Sequence, residues 1–143
     1  MAVSKGRASD NPAADRLLTR AARKEGDLGN PFEIVDLNAL PATPCPCGMA
    51  RRGFMQPDNT VASVHHVDIS VDAKAHYHKR LTEIYYFLEC GAEAKMELNG
   101  MLYPAKPGMA VLVRPGTRHR AVGRMKILNV VVPPFDKADE WFD

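Results

Sequence analysis

From residue 51 to residue 132, short apolar runs alternate with turn-forming residues, and this spacing predicts β-strands rather than helices. Asn99-Gly100 between two apolar runs is typical of a two-residue β-hairpin, and Pro107-Gly108 and Pro115-Gly116 indicate two further turns. Because no helical stretch separates the runs, the pattern indicates an antiparallel sandwich or a closed barrel. The expected strands are 51–55, 60–70, 83–89, 93–98, 101–103, 109–113, 118–122 and 125–132.

The first 50 residues follow a different pattern. Asn11-Pro12, placed before a weakly amphipathic stretch, predicts a short helix that ends near Gly26. Closely spaced prolines then predict an extended arm over 38–50 that is neither helix nor sheet. We therefore expect an N-terminal helix and a Pro- and Cys-containing arm in residues 1–50, followed by a single β-barrel with an apolar C-terminal tail in residues 51–143.

Length and charge narrow the classes of function. The chain has 143 residues, enough for one domain with one core, and 45% of them are apolar. Its 19 basic and 17 acidic side chains are intermixed and give a formal charge of +2, so charge gives no reason to expect nucleic acid or membrane binding. The sequence shows no membrane-spanning run, no signal peptide at its start and no disulfide framework. These features predict a cytoplasmic protein.

The candidate chemistry is a group of metal-binding residue types. His76 and His78 are two positions apart, so in an extended chain both imidazoles point to one face. Glu83 opens an apolar run, and a hairpin-like return would bring its carboxylate beside both imidazoles. His119 follows the turn at 115–116, on a strand that barrel closure can return to the same place. Such a donor set suits one divalent Fe, Mn, Ni or Zn ion and leaves coordination positions open.

These residues resemble the two motifs of the cupin superfamily. His76, His78 and Glu83 fit the first motif, His-x-His, four residues and Glu, although its closing Gly91 comes one residue late and no Gly precedes His76 at the usual place. The second motif is recognisable in Gly108, Pro115, Gly116 and His119, without the usual residue between Pro and Gly and with Gly123 in place of the closing Asn. The resemblance covers residues 60–132. It implies an all-β jelly-roll barrel with a metal ion in its lumen.

The resemblance implies a metal-dependent enzyme in which the ion acts as a Lewis acid and template for a small molecule. A dioxygenase is the first hypothesis, because histidines and one carboxylate with open positions suit Fe(II) and dioxygen. An isomerase, epimerase or lyase acting on a sugar or a hydroxy acid would use the same ligands. A metal-containing binding module without catalysis is the third alternative, since fold alone does not determine function.

Strand alternation also predicts which side chains line a substrate pocket. Tyr85 and Phe87 share a face with Glu83, and either they shape the pocket or they are plain core. His65 lies on the inward face of its strand, where a structural histidine is the alternative role. Arg52 is placed to clamp a carboxylate or a phosphate, although solvated surface charge is more common. The expected pocket residues are Tyr85, Phe87, His65, Arg52 and Met96.

Two remaining features lie outside the motifs. Cys45-Pro46-Cys47 has no second cysteine pair to complete a zinc site and is too closely spaced for an easy disulfide, so we expect a loop stiffened by proline. Phe135, Trp141 and Phe142 make the C-terminal tail apolar, which predicts that it docks on the barrel or on a second subunit. Large exposed apolar patches are unusual on monomers, so the tail predicts a homodimer.

Overall fold

The computed structural model describes residues 31–143. The helix predicted between Asn11 and Gly26 lies outside the described residues. A compact unit spans Val35–Asp143, and it is an all-β jelly-roll barrel, as the sequence predicts. Within the described residues, helical structure is limited to the short 3₁₀ turns Leu37–Ala39 and Lys137–Asp139, and no helix there could cross a bilayer.

Nine strands form the barrel within the described part of the chain, and the eight predicted after residue 50 are all present with small differences at their ends. The predicted Asn99-Gly100 hairpin joins β5 to β6, with both residues at positive φ (48° and 81°), as a type I′ turn requires. The strands are β1 Thr43–Cys45, β2 Gly48–Gly53, β3 Ser63–Ile69, β4 Thr82–Cys90, β5 Lys95–Leu98, β6 Met101–Pro104, β7 Ala110–Val113, β8 His119–Val122 and β9 Met125–Val132.

The strands form two antiparallel sheets, a six-stranded one in the order β1-β2-β3-β9-β4-β7 and a three-stranded one in the order β6-β5-β8. From Glu83 to Phe87 every second residue of β4 is buried, so Glu83, Tyr85 and Phe87 face inward while Ile84 and Tyr86 are exposed. This confirms the register predicted for β4. The same alternation on β3 and β9 turns His65 and Asn129 inward.

The prediction of an irregular arm over 38–50 is wrong. Residues 43–50 instead form β1 and the start of β2, joined by a tight turn at Pro46 and Cys47. Proline misled the prediction because it is excluded from central strands but tolerated on an edge, and β1 is the edge strand of the six-stranded sheet. The predicted boundary at residue 50 consequently falls inside β2, and 35–50 belong to the barrel unit.

Candidate metal centre

The four predicted metal-binding residues meet at one point. The imidazole nitrogens of His76, His78 and His119 and a carboxylate oxygen of Glu83 all lie within 4.8 Å of one another. His76 precedes β4 and lies beside His119 of β8, each donating its backbone N–H to the other's carbonyl at 3.1 and 2.9 Å. Because Glu83 belongs to the six-stranded sheet and His119 to the three-stranded one, the cluster lies where the two sheets face each other.

The Pro115-Gly116 turn holds the cluster from the other side. Gly116 adopts a φ of 84°, a conformation that favours glycine, and its N–H donates to the carbonyl of His78 at 2.7 Å. The turn therefore fixes the backbone of one ligand, and three residues later β8 begins with another ligand, His119. The Pro-Gly turn thus has two roles: it holds the backbone of His78, and it leads into the strand that carries His119.

The other ring nitrogen of each imidazole is also held. Each Nδ1 donates to a backbone carbonyl oxygen, which leaves the Nε2 lone pair for the centre of the cluster. The three bonds are His76 to Lys74 at 3.2 Å, His78 to Asp139 at 2.7 Å and His119 to Thr117 at 2.9 Å. Metal-binding histidines are usually oriented in this way, by a hydrogen bond at the nitrogen that does not bind the ion.

Two observations show that the donor set fits a divalent cation. His78 Nε2 is buried without a hydrogen-bond partner, although it lies 3.3 Å from Glu83 Oε2. An unpartnered buried nitrogen is costly unless it binds something. The second observation is charge: one carboxylate faces three imidazoles, the neutral-plus-anionic combination that holds Zn(II) or Fe(II).

Glu83 is kept ionised in a buried position. Burial alone would raise the pKa of Glu83, but its contacts with His119 and His78 lower it well below its ordinary value. Its Oε2 lies 2.7 Å from His119 Nε2, and its Oε1 accepts a hydrogen bond from Asn129 Nδ2 at 2.7 Å. Asn129 thus orients the carboxylate and leaves one oxygen directed at the imidazoles.

A cavity beside the cluster is lined by His76 and Glu83. Three of the predicted pocket residues, Tyr85, His65 and Arg52, lie in its wall. Arg52 donates to Thr43 Oγ1 at 2.6 Å, and its guanidinium lies 4.9 Å from the centre of the Phe135 ring. The cavity therefore has apolar and aromatic walls with a cation at one side. Ala121 also lines it, and this small side chain leaves room beside His119.

The structure places the other two predicted pocket residues in the core. Phe87 and Met96 do not line the cavity, since each is only 1% exposed and packs within the hydrophobic core. Phe87 lies two residues beyond Tyr85 on the inward face of β4, where it belongs to the buried hydrophobic cluster that also contains Met96. Both residues stabilise the barrel.

Three residues of the site were not found from the sequence. Asn129 interrupts the apolar inward face of β9, and a polar residue at such a position could have been recognised in the sequence as a candidate site residue. Asp139 and Glu140 lie in the C-terminal tail, where no periodic pattern indicates which way a side chain points. Asp139 holds the chain after His78, and Glu140 lines the cavity. The tail folds back on its own barrel, where Trp141 pairs with Tyr77.

Comparison with solved structures finds proteins of the same fold, among them a relative at substantial identity. A protein from Planctomyces limnophilus is 44% identical, with a TM-score of 0.75 over 78% of this chain and 96% of that chain. Pac13 from Streptomyces, a nucleoside dehydratase, is 20% identical, with a TM-score of 0.66 over 78% of this chain and 94% of that one. Ectoine synthase from P. lautus is also 20% identical, with a TM-score of 0.61 over 75% of this chain and 82% of that chain.

At 20% identity, the similarity to these two enzymes shows only a common fold. No protein-family model matches the sequence, and no curated protein matches it.

Proposed function

Since this chain belongs to the cupin superfamily, we propose that it is a metal-dependent lyase that eliminates water from a small hydroxylated molecule. The observation that carries the proposal is that one cavity joins the metal cluster to two titratable groups outside it, Glu140 and His65. The sequence had placed His65 on the inward face of its strand but gave no sign of Glu140. A base beside a metal is the arrangement that proton abstraction and elimination need.

His76, His78, Glu83 and His119 would hold the ion, which would supply a Lewis acid for a substrate oxygen. The donors are compatible with Fe, Mn, Ni or Zn. The residues around them would orient the substrate and exclude water. Arg52 would bind an anionic group, while the aromatic wall would bury the remainder.

Glu140 is the proposed general base. Burial raises the pKa of Glu140, and the negative charge of Glu83 raises it further, against the opposing effect of His78. A carboxylate with a raised pKa is a stronger base than an exposed one. Glu140 would take the proton from the carbon adjacent to the one that carries the hydroxyl. As the C=C bond forms, the C–O bond would break, and the released hydroxide would take up a proton and leave as water.

His65 is the proposed partner for the substrate's polar end. Burial, with a contribution from Arg52, lowers the pKa of His65 to about 4, so its imidazole is neutral at pH 7. Its Nε2 lies 2.9 Å from Ser63 Oγ. A neutral, fixed imidazole can hold a substrate hydroxyl by a hydrogen bond without adding charge to the cavity.

A dioxygenase is the second candidate, and the donor set with open coordination positions favours it. One solved structure with this fold is a nucleoside dehydratase, and it supports the lyase by analogy of fold. A binding module without catalysis is the third candidate, and absence of turnover would favour it.

The test is turnover by the metal-loaded protein. Protein loaded anaerobically with Fe(II), and separately with Mn(II), Ni(II) or Zn(II), would be incubated with nucleosides, including uridine, and with hydroxy acids and sugars. We expect loss of one water from a substrate and no oxygen consumption, measured by mass spectrometry and an oxygen electrode. Glu140→Gln should lower kcat by about 10²–10⁴-fold with metal content unchanged.

The matched control is Glu89→Gln, because Glu89 is an exposed carboxylate of β4 paired with Lys126. It should leave turnover unchanged. Oxygen consumption matched to product formation would establish the dioxygenase and refute the lyase. Full activity of Glu140→Gln would remove Glu140 from the mechanism.

We also propose that the chain forms a homodimer, through the outer face of the six-stranded sheet. Ile84, Tyr86 and Leu88 of β4 are 38–43% exposed, and Leu112 of the adjacent β7 is 48% exposed. An apolar row of this kind favours burial against a second copy. Light scattering should give about twice the chain mass of 15.8 kDa, and Tyr86→Glu should shift it to one chain mass. A parent protein that stays at one chain mass at tens of micromolar contradicts the proposal.

A further inference from the structure

The turn between β1 and β2 brings two thiols together. Cys45 and Gly48 are paired residues of the hairpin, so Pro46 and Cys47 form its two-residue loop. The Sγ atoms of Cys45 and Cys47 lie 2.7 Å apart. Both side chains are partly buried, and both line the cavity that contains His76 and Glu83. The two sulfurs therefore share a wall of the metal cavity.

The backbone holds this turn in place. Pro46 has a fixed φ, which limits the conformations of the loop. Gly48 has a φ of 151°, and a Cβ added there would lie 2.0 Å from the carbonyl oxygen of Asp68 on β3. Only glycine fits so close to the neighbouring strand, so the β1–β2 hairpin packs tightly against β3. The spacing in the sequence argued against a disulfide between these cysteines, but the fold holds their sulfurs 2.7 Å apart.

We propose that Cys45 and Cys47 are a redox-active dithiol that a peroxide closes to a disulfide. The Cys45 thiolate attacks one peroxide oxygen, the O–O bond breaks, and hydroxide leaves and takes up a proton, so that Cys45 becomes a sulfenic acid. The Cys47 sulfur then attacks the Cys45 sulfur, the S–O bond breaks, and a second water leaves. Each sulfur loses one electron, and one hydrogen peroxide becomes two waters. A thiol reductant reverses the change.

The environment distinguishes the two sulfurs. The hydrogen bond from Cys47, aided by neighbouring backbone N–H groups and Arg52 and opposed by burial, lowers the pKa of Cys45 to about 6. The same hydrogen bond and burial raise the pKa of Cys47. Thiolates are the nucleophilic form, so Cys45 is the attacking residue and Cys47 the resolving one.

A structural metal site is the competing role for two close thiols. Such a site needs further donors. Among residues 31–143, the sole group of three or more mutually close His, Cys, Asp or Glu donors is the cluster of His76, His78, Glu83 and His119. The thiol pair therefore lacks the third donor that a metal site would need.

The test uses zinc-loaded protein, since zinc does not react with peroxide, in a Cys90→Ser background that removes the third cysteine. After one equivalent of hydrogen peroxide, intact mass spectrometry should show loss of two hydrogens and no addition of N-ethylmaleimide. Reduction with dithiothreitol should restore two alkylations. Before oxidation, Cys45 should react with iodoacetamide at pH 7 about tenfold faster than Cys90 does in the parent chain.

Single variants separate the two roles. Cys47→Ser should accumulate a sulfenic acid on Cys45 that dimedone traps, whereas Cys45→Ser should react slowly with peroxide. Circular dichroism should confirm that both variants are folded. Two full alkylations after peroxide, or linkage between chains in place of the internal disulfide, would overturn the proposal. The result is independent of whether the cavity catalyses elimination, because no substrate is present.

Discussion

Replacing His76 and His78 together by Ala is expected to reduce bound metal from about one ion per chain to nearly none. Each imidazole is a strong neutral metal ligand, and removing two of them leaves the ion with too few ligands. In both residues Nδ1 is hydrogen-bonded to a backbone carbonyl, so Nε2 is the ligand atom that the substitution removes. Elemental analysis of protein loaded with Fe(II) or Zn(II) and then desalted measures the loss. His119→Ala should behave in the same way.

Two variants make the metal result specific. His66→Ala is the matched control, because His66 lies on the face of β3 opposite to His65 and should leave metal content unchanged. Glu83→Gln should reduce affinity less than loss of a histidine does, since Asn129 still orients the side chain. Full metal occupancy in the double histidine variant would show that the ion binds elsewhere.

Asp139→Ala is expected to lower the free energy of unfolding by about 2–4 kcal/mol. The Asp139 carboxylate is only 3% exposed. It accepts backbone N–H bonds from Lys79, Arg80 and Leu81 at 3.2, 2.9 and 3.0 Å, and without it these donors lose their partner. Because this turn follows His78 directly, metal affinity should fall as well, by about 10–100-fold. Urea unfolding and metal titration measure the two effects.

Asp136→Ala is the comparison variant, since Asp136 lies in the same tail but pairs with Arg80 at the surface. Its effect on stability should be clearly smaller than that of Asp139→Ala, because its ion pair is exposed to solvent. If both variants lower the free energy of unfolding equally, the hydrogen bonds of Asp139 contribute no more to stability than the surface ion pair of Asp136.

The Asp139 effect should also depend on pH. Burial would raise the pKa of Asp139, but the backbone N–H groups of Arg80 and Leu81 outweigh it and lower the pKa from 3.8 to about 2. A carboxyl group whose pKa is lower in the folded protein than in the unfolded chain stabilises the folded state at any pH above the unfolded-state pKa. This stabilisation is lost as the pH falls through the folded-state pKa. The stability difference between parent and Asp139→Ala should therefore be full above about pH 4 and shrink toward pH 2.

The sequence predicted what depends on local periodicity and missed what depends on distant contacts. The alternation along β4 was sufficient to turn Glu83 inward, and spacing alone grouped it with His76 and His78. The edge strand β1 was missed because its proline is acceptable only at an edge, and which strand is the edge depends on the whole sheet. Asp139 meets groups 61 and 58 residues away in the sequence, and Glu140 follows it in the same tail, so no short-range pattern indicated them.

The position of β9 has a consequence for how the chain is made. β9 is the last strand in sequence, yet it lies between β3 and β4 in the middle of the six-stranded sheet. A chain still emerging from the ribosome therefore carries β3 and β4 with unpaired edges until residue 132 has been released. Exposed strand edges pair readily with other chains. The interval before β9 arrives is the period in which this protein most needs a chaperone, and products truncated before Met125 should aggregate.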